Sequence, residues 1–188
     1  MNKLRDLVEI RSGYTFRTAI DSFSEGNVEV IQSKDLNEYF SFDLRPKIDF
    51  PGDASHLLQP GEVLFSARGF AKAIVYKGGD GPAVVSSSLF VLRPKSLNVD
   101  ASFLAMYLSS YEGIKEVMKL SSGSSVKTIT KEDLGAIEIP ELPPDKQRAL
   151  GGMVQAIDKY QNALSLKELY LNQLRSTVIK KTLKESTK

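Results

Sequence analysis

The sequence predicts an α+β fold: a domain with a largely antiparallel β-sheet, followed by one long C-terminal coiled-coil α-helix. Up to residue 140, short β-rich runs alternate with turns rich in Gly, Pro and Asp. After Pro144 the chain contains no further proline and is rich in residues that favour helix. The charge divides in the same way, because residues 141–188 hold 9 basic and 5 acidic residues whereas residues 1–140 hold 16 and 18.

Four β-rich runs predict the strands of the first domain, at residues 28–31, 63–65, 73–76 and from 83 onward to 91. The glycine-rich turn at residues 78–82 separates two of these runs, which predicts a β-hairpin. Apolar residues at helical spacing predict one amphipathic helix over residues 100–120. A capped helical turn is predicted at residues 130–133, followed by a last strand at 136–139.

Three prolines, Pro140, Pro143 and Pro144, mark the end of this domain because they force extended backbone before a helix begins. We therefore predict a first domain at residues 1–142 and a helical segment at residues 143–188. A helix from about residue 144 to about 184 would be roughly 60 Å long at about 1.5 Å per residue.

The predicted helix carries apolar residues at an unbroken seven-residue spacing, which is typical of a coiled-coil seam. The seam residues are Leu150, Ile157, Leu164, Leu171 and Val178, with Met153, Tyr160 and Leu174 at the companion position. Such a stripe also suits a helix that packs on its own domain. Length favours the coiled coil, since a domain of about 140 residues is roughly 30–35 Å across and cannot cover such a helix.

The residue inventory excludes several kinds of catalytic site. Without cysteine the chain cannot form disulfides, zinc–thiolate sites, iron–sulfur clusters or cysteine nucleophiles. A catalytic triad or a metal site would have to use His56, the single histidine, and its Pro- and Gly-bounded loop favours a solvated side chain. No Walker loop or dinucleotide fingerprint is present, so we predict no catalytic residues, metal or cofactor. The sequence contains no apolar stretch of membrane-spanning length, which favours a cytoplasmic protein.

Three polar loops, at residues 11–17, 66–72 and 121–127, combine Ser and Gly with Arg or Lys. Surface turns are often rich in Ser and Gly for conformational reasons alone. The same residue types also suit DNA, because they approach phosphates closely and Arg can bind guanine in the major groove. The candidate phosphate or guanine contacts are Arg11, Arg17, Lys34, Arg68, Lys72 and Lys127, with Tyr14, Ser124 and Ser125 beside them.

Five segments in the same order resemble the specificity subunit of type I restriction-modification systems. Residues 4–16 (LRDLVEIRSGYTF) resemble the start of its target recognition domain, and residues 30–36 and 58–69 (LQPGEVLFSARG) resemble its central motifs. Residues 123–129, followed by Leu134 and residues 137–140 (IEIP), are similar to its closing strand. Residues 142–147 (LPPDKQ) are similar to the entry of its spacer helix.

The resemblance implies an adaptor without catalytic residues that recognises double-stranded DNA. Methyltransferase subunits would bind it and supply the S-adenosylmethionine chemistry on adenine, and a restriction subunit is a further partner of the family. The family's specificity subunits carry two recognition domains and two spacer helices, whereas this chain has one of each. The chain is therefore a half-subunit, either a natural form, a truncation product or a fragment. Two copies could pair their helices antiparallel as a homodimer and recognise a bipartite inverted repeat.

Two alternatives remain open from the sequence. A regulatory or structural half-subunit would pair with a full specificity subunit or a methyltransferase without recognising DNA itself. A hydrolase would depend on His56, the single histidine of the chain. Replacing the loop arginines by alanine separates DNA recognition from the regulatory function, because only DNA recognition predicts lost specificity with intact assembly.

Overall fold

A computed structural model describes residues 1–18, 20, 26–36, 45–66, 71–120 and 129–185. Within these ranges the strands are β1 (Asn2–Lys3), β2 (Val8–Ser12), β3 (Val28–Ile31), β4 (Lys47–Ile48), β5 (Val63–Ser66), β6 (Lys72–Val75), β7 (Ala83–Val85), β8 (Phe90–Pro94) and β9 (Glu138–Ile139). The helices are α1 (Leu4–Leu7), α2 (Ala101–Ser109), α3 (Tyr111–Leu120), α4 (Lys131–Ala136) and α5 (Pro144–Glu185), with 3₁₀ turns at Ser33–Leu36 and Ala54–His56. The predicted α+β class with a long C-terminal helix is confirmed.

The strands form two sheets and a short pair. One sheet has four antiparallel strands in the order β2-β8-β5-β6, and the other has three strands in the order β4-β3-β7. Strands β1 and β9 pair antiparallel. The sheets are largely antiparallel as predicted, and the pairing of β3 with β7 is the parallel exception.

Strand β5 is buried on both of its faces, which explains its continuous apolar sequence. Val63 and Phe65 point into one core cluster, where Leu104 and Leu108 of α2 pack. Leu64 lies between them in sequence and points to the opposite face, into a second cluster. The four-stranded sheet is therefore covered on both sides, and the burial of β5 fixes the register of its neighbours.

The predicted hairpin at residues 78–82 is wrong. Strand β6 pairs with β5 in the four-stranded sheet, whereas β7 pairs with β3 in the other sheet. The turn therefore carries the chain from one sheet to the other, and Gly78 adopts a positive φ of 91° there. Turn composition alone could not identify the strand that pairs next.

The single helix predicted at residues 100–120 is divided into α2 and α3 at Ser110. The backbone N–H of Ser110 donates to the Tyr107 carbonyl at 3.0 Å, which closes α2. The Ser110 hydroxyl oxygen accepts a hydrogen bond from the Gly113 N–H at 3.1 Å and caps the start of α3. The apolar pattern is continuous across this break because both helices bury their faces against the same domain.

The capped turn predicted at residues 130–133 is confirmed as the start of α4. The hydroxyl of Thr130 accepts from the Asp133 N–H at 3.1 Å, and an Asp133 carboxylate oxygen accepts from the Thr130 N–H at 3.2 Å. Strand β9 follows and pairs with β1, which fixes the N-terminus of the chain beside the segment that leads into α5.

The helix α5 has 42 residues and is about 63 Å long at about 1.5 Å per residue. Contacts divide the chain into two units, Met1–Gly152 and Met153–Lys188, so the first turns of α5 belong to the first unit. In those turns the Gln147 side chain accepts from the Asp100 N–H at 3.0 Å and donates to the Leu142 carbonyl at 2.8 Å. No helix in the described ranges combines the length and hydropathy that a bilayer span requires.

Two consecutive glycines of α5 provide a matched test of how its first turns pack. A Cβ atom on Gly151 would lie 2.7 Å from Asp100 Oδ1 and 2.9 Å from the Phe103 nitrogen, whereas one on Gly152 would meet nothing within 4 Å. We expect Gly151→Ala to lower the free energy of unfolding by about 1–3 kcal/mol, since the overlap displaces the α2 cap. Gly152→Ala should raise it by up to about 1 kcal/mol through helix propensity. Denaturant unfolding of both variants measures the difference, and equal effects would contradict this packing.

Candidate nucleic-acid interface

The ends of four strands meet at one end of the four-stranded sheet. Ser12 at the end of β2 pairs with Phe90 at the start of β8, and Phe90 pairs in turn with Phe65 of β5. Ser66 at the end of β5 pairs with Lys72 at the start of β6. The chain that follows β2 and the chain that connects β5 to β6 therefore leave the sheet at the same end.

The second sheet contributes its strand ends to the same place. The Tyr14 N–H, just beyond β2, donates to the Val85 carbonyl at the end of β7, with a distance of 2.8 Å. The Ser87 N–H then donates to the Tyr14 carbonyl at 2.9 Å. These hydrogen bonds form a short parallel bridge between Tyr14 and Ser86, which joins the two sheets at this end.

Strand β3 ends beside the same bridge. The Ser86 N–H donates to the Ile31 carbonyl at 2.9 Å, and the Ser33 N–H donates to the Ser88 hydroxyl at 3.3 Å. Lys34 follows Ser33 in a 3₁₀ turn and is exposed. Segments that are far apart in sequence thus converge on one surface, which we call the loop face: residues 12–18, 32–34, 66, 72 and 86–88.

The loop face collects five of the candidate DNA-contacting residues or their immediate neighbours. Arg17 and Lys34 are exposed, Tyr14 and Lys72 are half-buried, and Arg11 lies at the end of β2. The remaining candidates, Arg68, Ser124, Ser125 and Lys127, lie outside the described residues.

Arg11 is held by a buried carboxylate. The Glu62 side chain is 2% exposed, and its Oε1 accepts from Arg11 Nη2 at 2.6 Å and from Arg93 Nε at 2.9 Å. The second oxygen of Glu62 accepts from the Gln59 N–H at 2.7 Å. The Arg11 side chain is only 20% exposed, and both terminal nitrogens of its guanidinium donate to groups inside the fold. This geometry gives Arg11 a positioning role.

The other end of the Arg11 guanidinium donates to the carbonyl of Ser55, in the 3₁₀ turn Ala54–His56. Asp53 caps this turn, since its Oδ1 accepts from the Ser55 N–H at 2.7 Å. Hydrogen bonds from Ser55 lower the pKa of the Asp53 carboxyl below its ordinary value, so the cap is charged at neutral pH. Glu62 therefore positions Arg11, and Arg11 fixes the turn that carries His56.

An aromatic cluster lies beside this turn, with Tyr14 at its centre. The Tyr14 ring makes edge-to-face contacts with Phe16, Phe50 and His56 at centroid distances of 4.9, 4.9 and 5.2 Å. The solvated histidine that the sequence favoured is therefore wrong, because His56 is half-buried and packed against two aromatic rings. Sequence alone could not reveal this packing, since Phe16 and Phe50 lie more than 30 residues apart.

A family model for the type I restriction modification DNA specificity domain matches residues 1–175. The chain belongs to this family. The match includes the loop face and most of α5. No match is found among the curated proteins.

Solved structures share the fold of this specificity domain. The crystal structure of the HsdS subunit from Thermoanaerobacter tengcongensis superposes with a TM-score of 0.61 at 22% identity, covering 86% of this chain and 37% of that one. A chain from a structure on the assembly and conformational transition of the type I R-M system gives 0.64 at 23% identity, covering 86% and 38%. The S subunit from M. genitalium gives 0.56 at 16% identity, covering 84% and 38%. The specificity domain thus spans less than two fifths of the solved chains that it matches.

The C-terminal part of α5 presents its apolar residues to solvent. The seam residues Ile157, Leu164, Leu171 and Val178 are 48–61% exposed within the described chain, and Leu150 is 37% exposed. The predicted heptad spacing therefore lies on a continuous helix. Among the described residues, no group of three or more His, Cys, Asp or Glu side chains is arranged to hold a metal ion.

Sequence reasoning missed three residues of the specificity domain that position side chains at or beside the loop face: Glu62 binds Arg11, and Phe50 and His56 pack against Tyr14. A signal for Glu62 was present, since a carboxylate immediately before an apolar strand is unusual unless it is paired. Its partners were not identifiable, because Arg11 and Arg93 are 51 and 31 residues away in the sequence.

We expect Glu62→Gln to lower the free energy of unfolding of the specificity domain by about 3 kcal/mol, because two guanidinium groups lose their buried counter-charge. Glu9→Gln is the matched control, since Glu9 is exposed on β2 and should change stability by less than about 0.5 kcal/mol. Urea unfolding followed by circular dichroism measures both. Equal stability of the two variants would contradict a stabilising role for the Glu62 cluster.

Proposed function

We propose that this chain is the DNA-recognition half-subunit of a type I restriction-modification complex, acting in the cytoplasm without catalytic residues of its own. The observation that carries the proposal is the convergence of polar loops from both sheets on one loop face, in a chain that belongs to the DNA specificity family. Loops on a rigid sheet scaffold are suited to recognition because their side chains vary without cost to the core.

The loop face offers both kinds of contact that sequence-specific DNA binding requires. Exposed Arg17 and Lys34 supply charge for phosphate oxygens, which would set the orientation of the domain on the duplex. Tyr14 and the loop serines supply donors and acceptors for base edges in the major groove. The formal net charge of the chain is only +2, so binding would depend on this local arrangement rather than on a generally basic surface.

Pairing of α5 with a second copy completes the proposal. The exposed seam from Leu150 to Val178 would be covered by an antiparallel copy of itself, since isolated helices with apolar stripes are poorly soluble without a partner. A twofold homodimer would place two identical loop faces on DNA, and identical domains related by a twofold axis recognise an inverted repeat. Helices of about 63 Å would separate the two half-sites by an unread spacer.

The opposite side of α5 offers a surface for a methyltransferase subunit. Leu166, Leu169 and Tyr170 are 42–59% exposed. At about 100° per residue, Leu166 and Leu169 lie about 200° and 140° around the helix from Leu164. The helix can therefore bind a second copy through its seam and a methyltransferase through its other side. Adenine methylation, and DNA cleavage where a restriction subunit joins, would be carried out by those partners.

The exposed seam also suits a second function. A half-subunit that pairs with a full-length specificity subunit would use the same residues of α5 and would not need its loop face. The DNA-recognition function requires the loop face to bind DNA, whereas the regulatory function does not. A test of whether the chain itself recognises DNA therefore separates the two functions.

The proposal predicts that the chain, co-expressed with a methyltransferase subunit of its system, directs methylation to a bipartite inverted repeat. Sequencing that detects methylated adenines checks this.

With the purified complex, Arg17→Ala and Lys34→Ala should each weaken binding to the mapped site and lower the dependence of log K on log salt by about 1 per lost phosphate contact. Lys77→Ala is the control, because Lys77 is an exposed lysine beyond the opposite end of β6.

A stable complex with the methyltransferase that produces no methylation motif would overturn DNA recognition by the homodimer and favour the regulatory half-subunit. A motif that is not an inverted repeat would overturn the twofold arrangement while leaving DNA recognition intact.

A paired substitution tests the two sides of α5. Leu164→Glu should raise the Kd of the homodimer about 100-fold or more, because the dimer interface would bury two new carboxylates, one from each copy. Leu169→Glu introduces the same charge on the other side and should leave the dimer intact while it reduces copurification with the methyltransferase subunit. Sedimentation equilibrium and pull-down measure these effects. Dimers of equal affinity in both variants would exclude pairing through the seam.

A further inference from the structure

His56 and Tyr14 are in ring contact, and within the described residues none of their side-chain polar atoms has a hydrogen-bond partner. Both side chains are half-buried, but neither ring nitrogen of His56 nor the hydroxyl of Tyr14 is among the fully buried unpaired polar atoms of the described ranges. These donors and acceptors are therefore accessible to a ligand beside the loop face.

Both rings are held in fixed positions. The Tyr14 ring lies between Phe16 and Phe50, and His56 contacts both Tyr14 and Phe50 edge-on at 5.2 and 6.3 Å. Edge-to-face pairs of this kind each contribute about 0.5–1.5 kcal/mol. Gly52 lies so close that a Cβ atom there would come within 2.9 Å of the Tyr14 and Phe50 rings. Gly52 therefore packs directly against two rings of the cluster.

The backbone that carries His56 is fixed as well. The Leu57 N–H donates to the Ala54 carbonyl at 3.0 Å and closes the turn, while the Asp53 carboxylate caps its start. Arg11 donates to the Ser55 carbonyl and is itself held by Glu62. A histidine on a turn with this much support is presented in one orientation, as a site that binds a rigid ligand requires.

We propose that His56, positioned by Tyr14, contacts a base edge in the major groove of DNA. The proposal rests on the function proposed above and adds one residue and its role to it. Neutral imidazole has one donor and one acceptor, and a phenol can do either, so the pair can match the donor and acceptor pattern of a base pair. Phosphate alone would not require this arrangement, because an exposed lysine or arginine binds it without a fixed orientation.

The test uses substitutions that keep each ring and remove its polar atoms. His56→Phe and Tyr14→Phe are made in the full chain, together with Tyr111→Phe as the control, because Tyr111 is an exposed tyrosine on α3. Affinity for the mapped site and for each single-base variant of it is measured with the methyltransferase complex. His56→Phe should weaken binding to the intact site about 5- to 150-fold and abolish discrimination at one base-pair position.

The salt dependence of binding distinguishes the loss of a base contact from the loss of a phosphate contact. It should be the same for His56→Phe and the unmodified chain, since no phosphate contact is lost. Tyr14→Phe should relax the same or the adjacent base-pair position, and Tyr111→Phe should relax none.

Unchanged base discrimination in both His56→Phe and Tyr14→Phe would overturn this assignment and leave the cluster a role in packing. A uniform loss at all positions, accompanied by a lower unfolding temperature, would overturn it as well. The unmodified complex distinguishes the two proposals. If it shows no base preference, the proposed function fails and the assignment of His56 fails with it; if it shows a base preference, only the assignment is under test.

Discussion

The loop face depends on one buried carboxylate. Glu62 lies at the start of β5 and binds guanidinium groups from β2 and β8, so a single charge connects three strands of the four-stranded sheet. Removing a carboxylate from water is costly, and the cost is offset only when the geometry supplies several donors. Arg11, Arg93 and the Gln59 N–H supply them. The same Arg11 reaches the turn of His56, so the energetics of the sheet and the position of a loop residue are coupled.

The covering of β5 on both faces is consistent with the proposed recognition at strand ends. With one cluster against α2 and another that includes residues of the second sheet, β5 has no face that is free to bind a ligand. The end of the sheet near Pro94 lies toward Asp100, whose N–H is hydrogen-bonded to Gln147 of α5. The opposite end, where Ser12, Phe90 and Ser66 meet, carries the loops instead. Loops at this end can vary in sequence while the apolar interior stays the same.

How much of this could be predicted depends on the range of the interactions involved. Local signals were sufficient for α5, whose prolines and heptads lie within the segment, and for the capping box at Thr130, where the two partners are three residues apart. Pairing of β7 with β3 was not predictable, because a parallel partner is chosen by the apolar surface that the whole domain must bury. The ion pair of Arg11 was not predictable for the same reason. In the sequence Arg11 is an isolated residue of a Ser- and Gly-containing loop that suits DNA, and its partner Glu62 lies 51 residues away.

In the proposed function, the two halves of the chain would solve different problems of specificity, and their coupling would be geometric. The loop face would determine which bases are bound, but a single half-site of a few base pairs occurs too often in a genome to be selective. The seam of α5 would add information without any further base contact, because pairing would fix the distance and relative orientation of two loop faces. Selectivity would then depend on the spacing that paired helices of about 63 Å set as much as on the side chains that contact bases. Paired helices would favour one separation of the half-sites, whereas a flexible linker, with its many conformations, would accept half-sites at many separations.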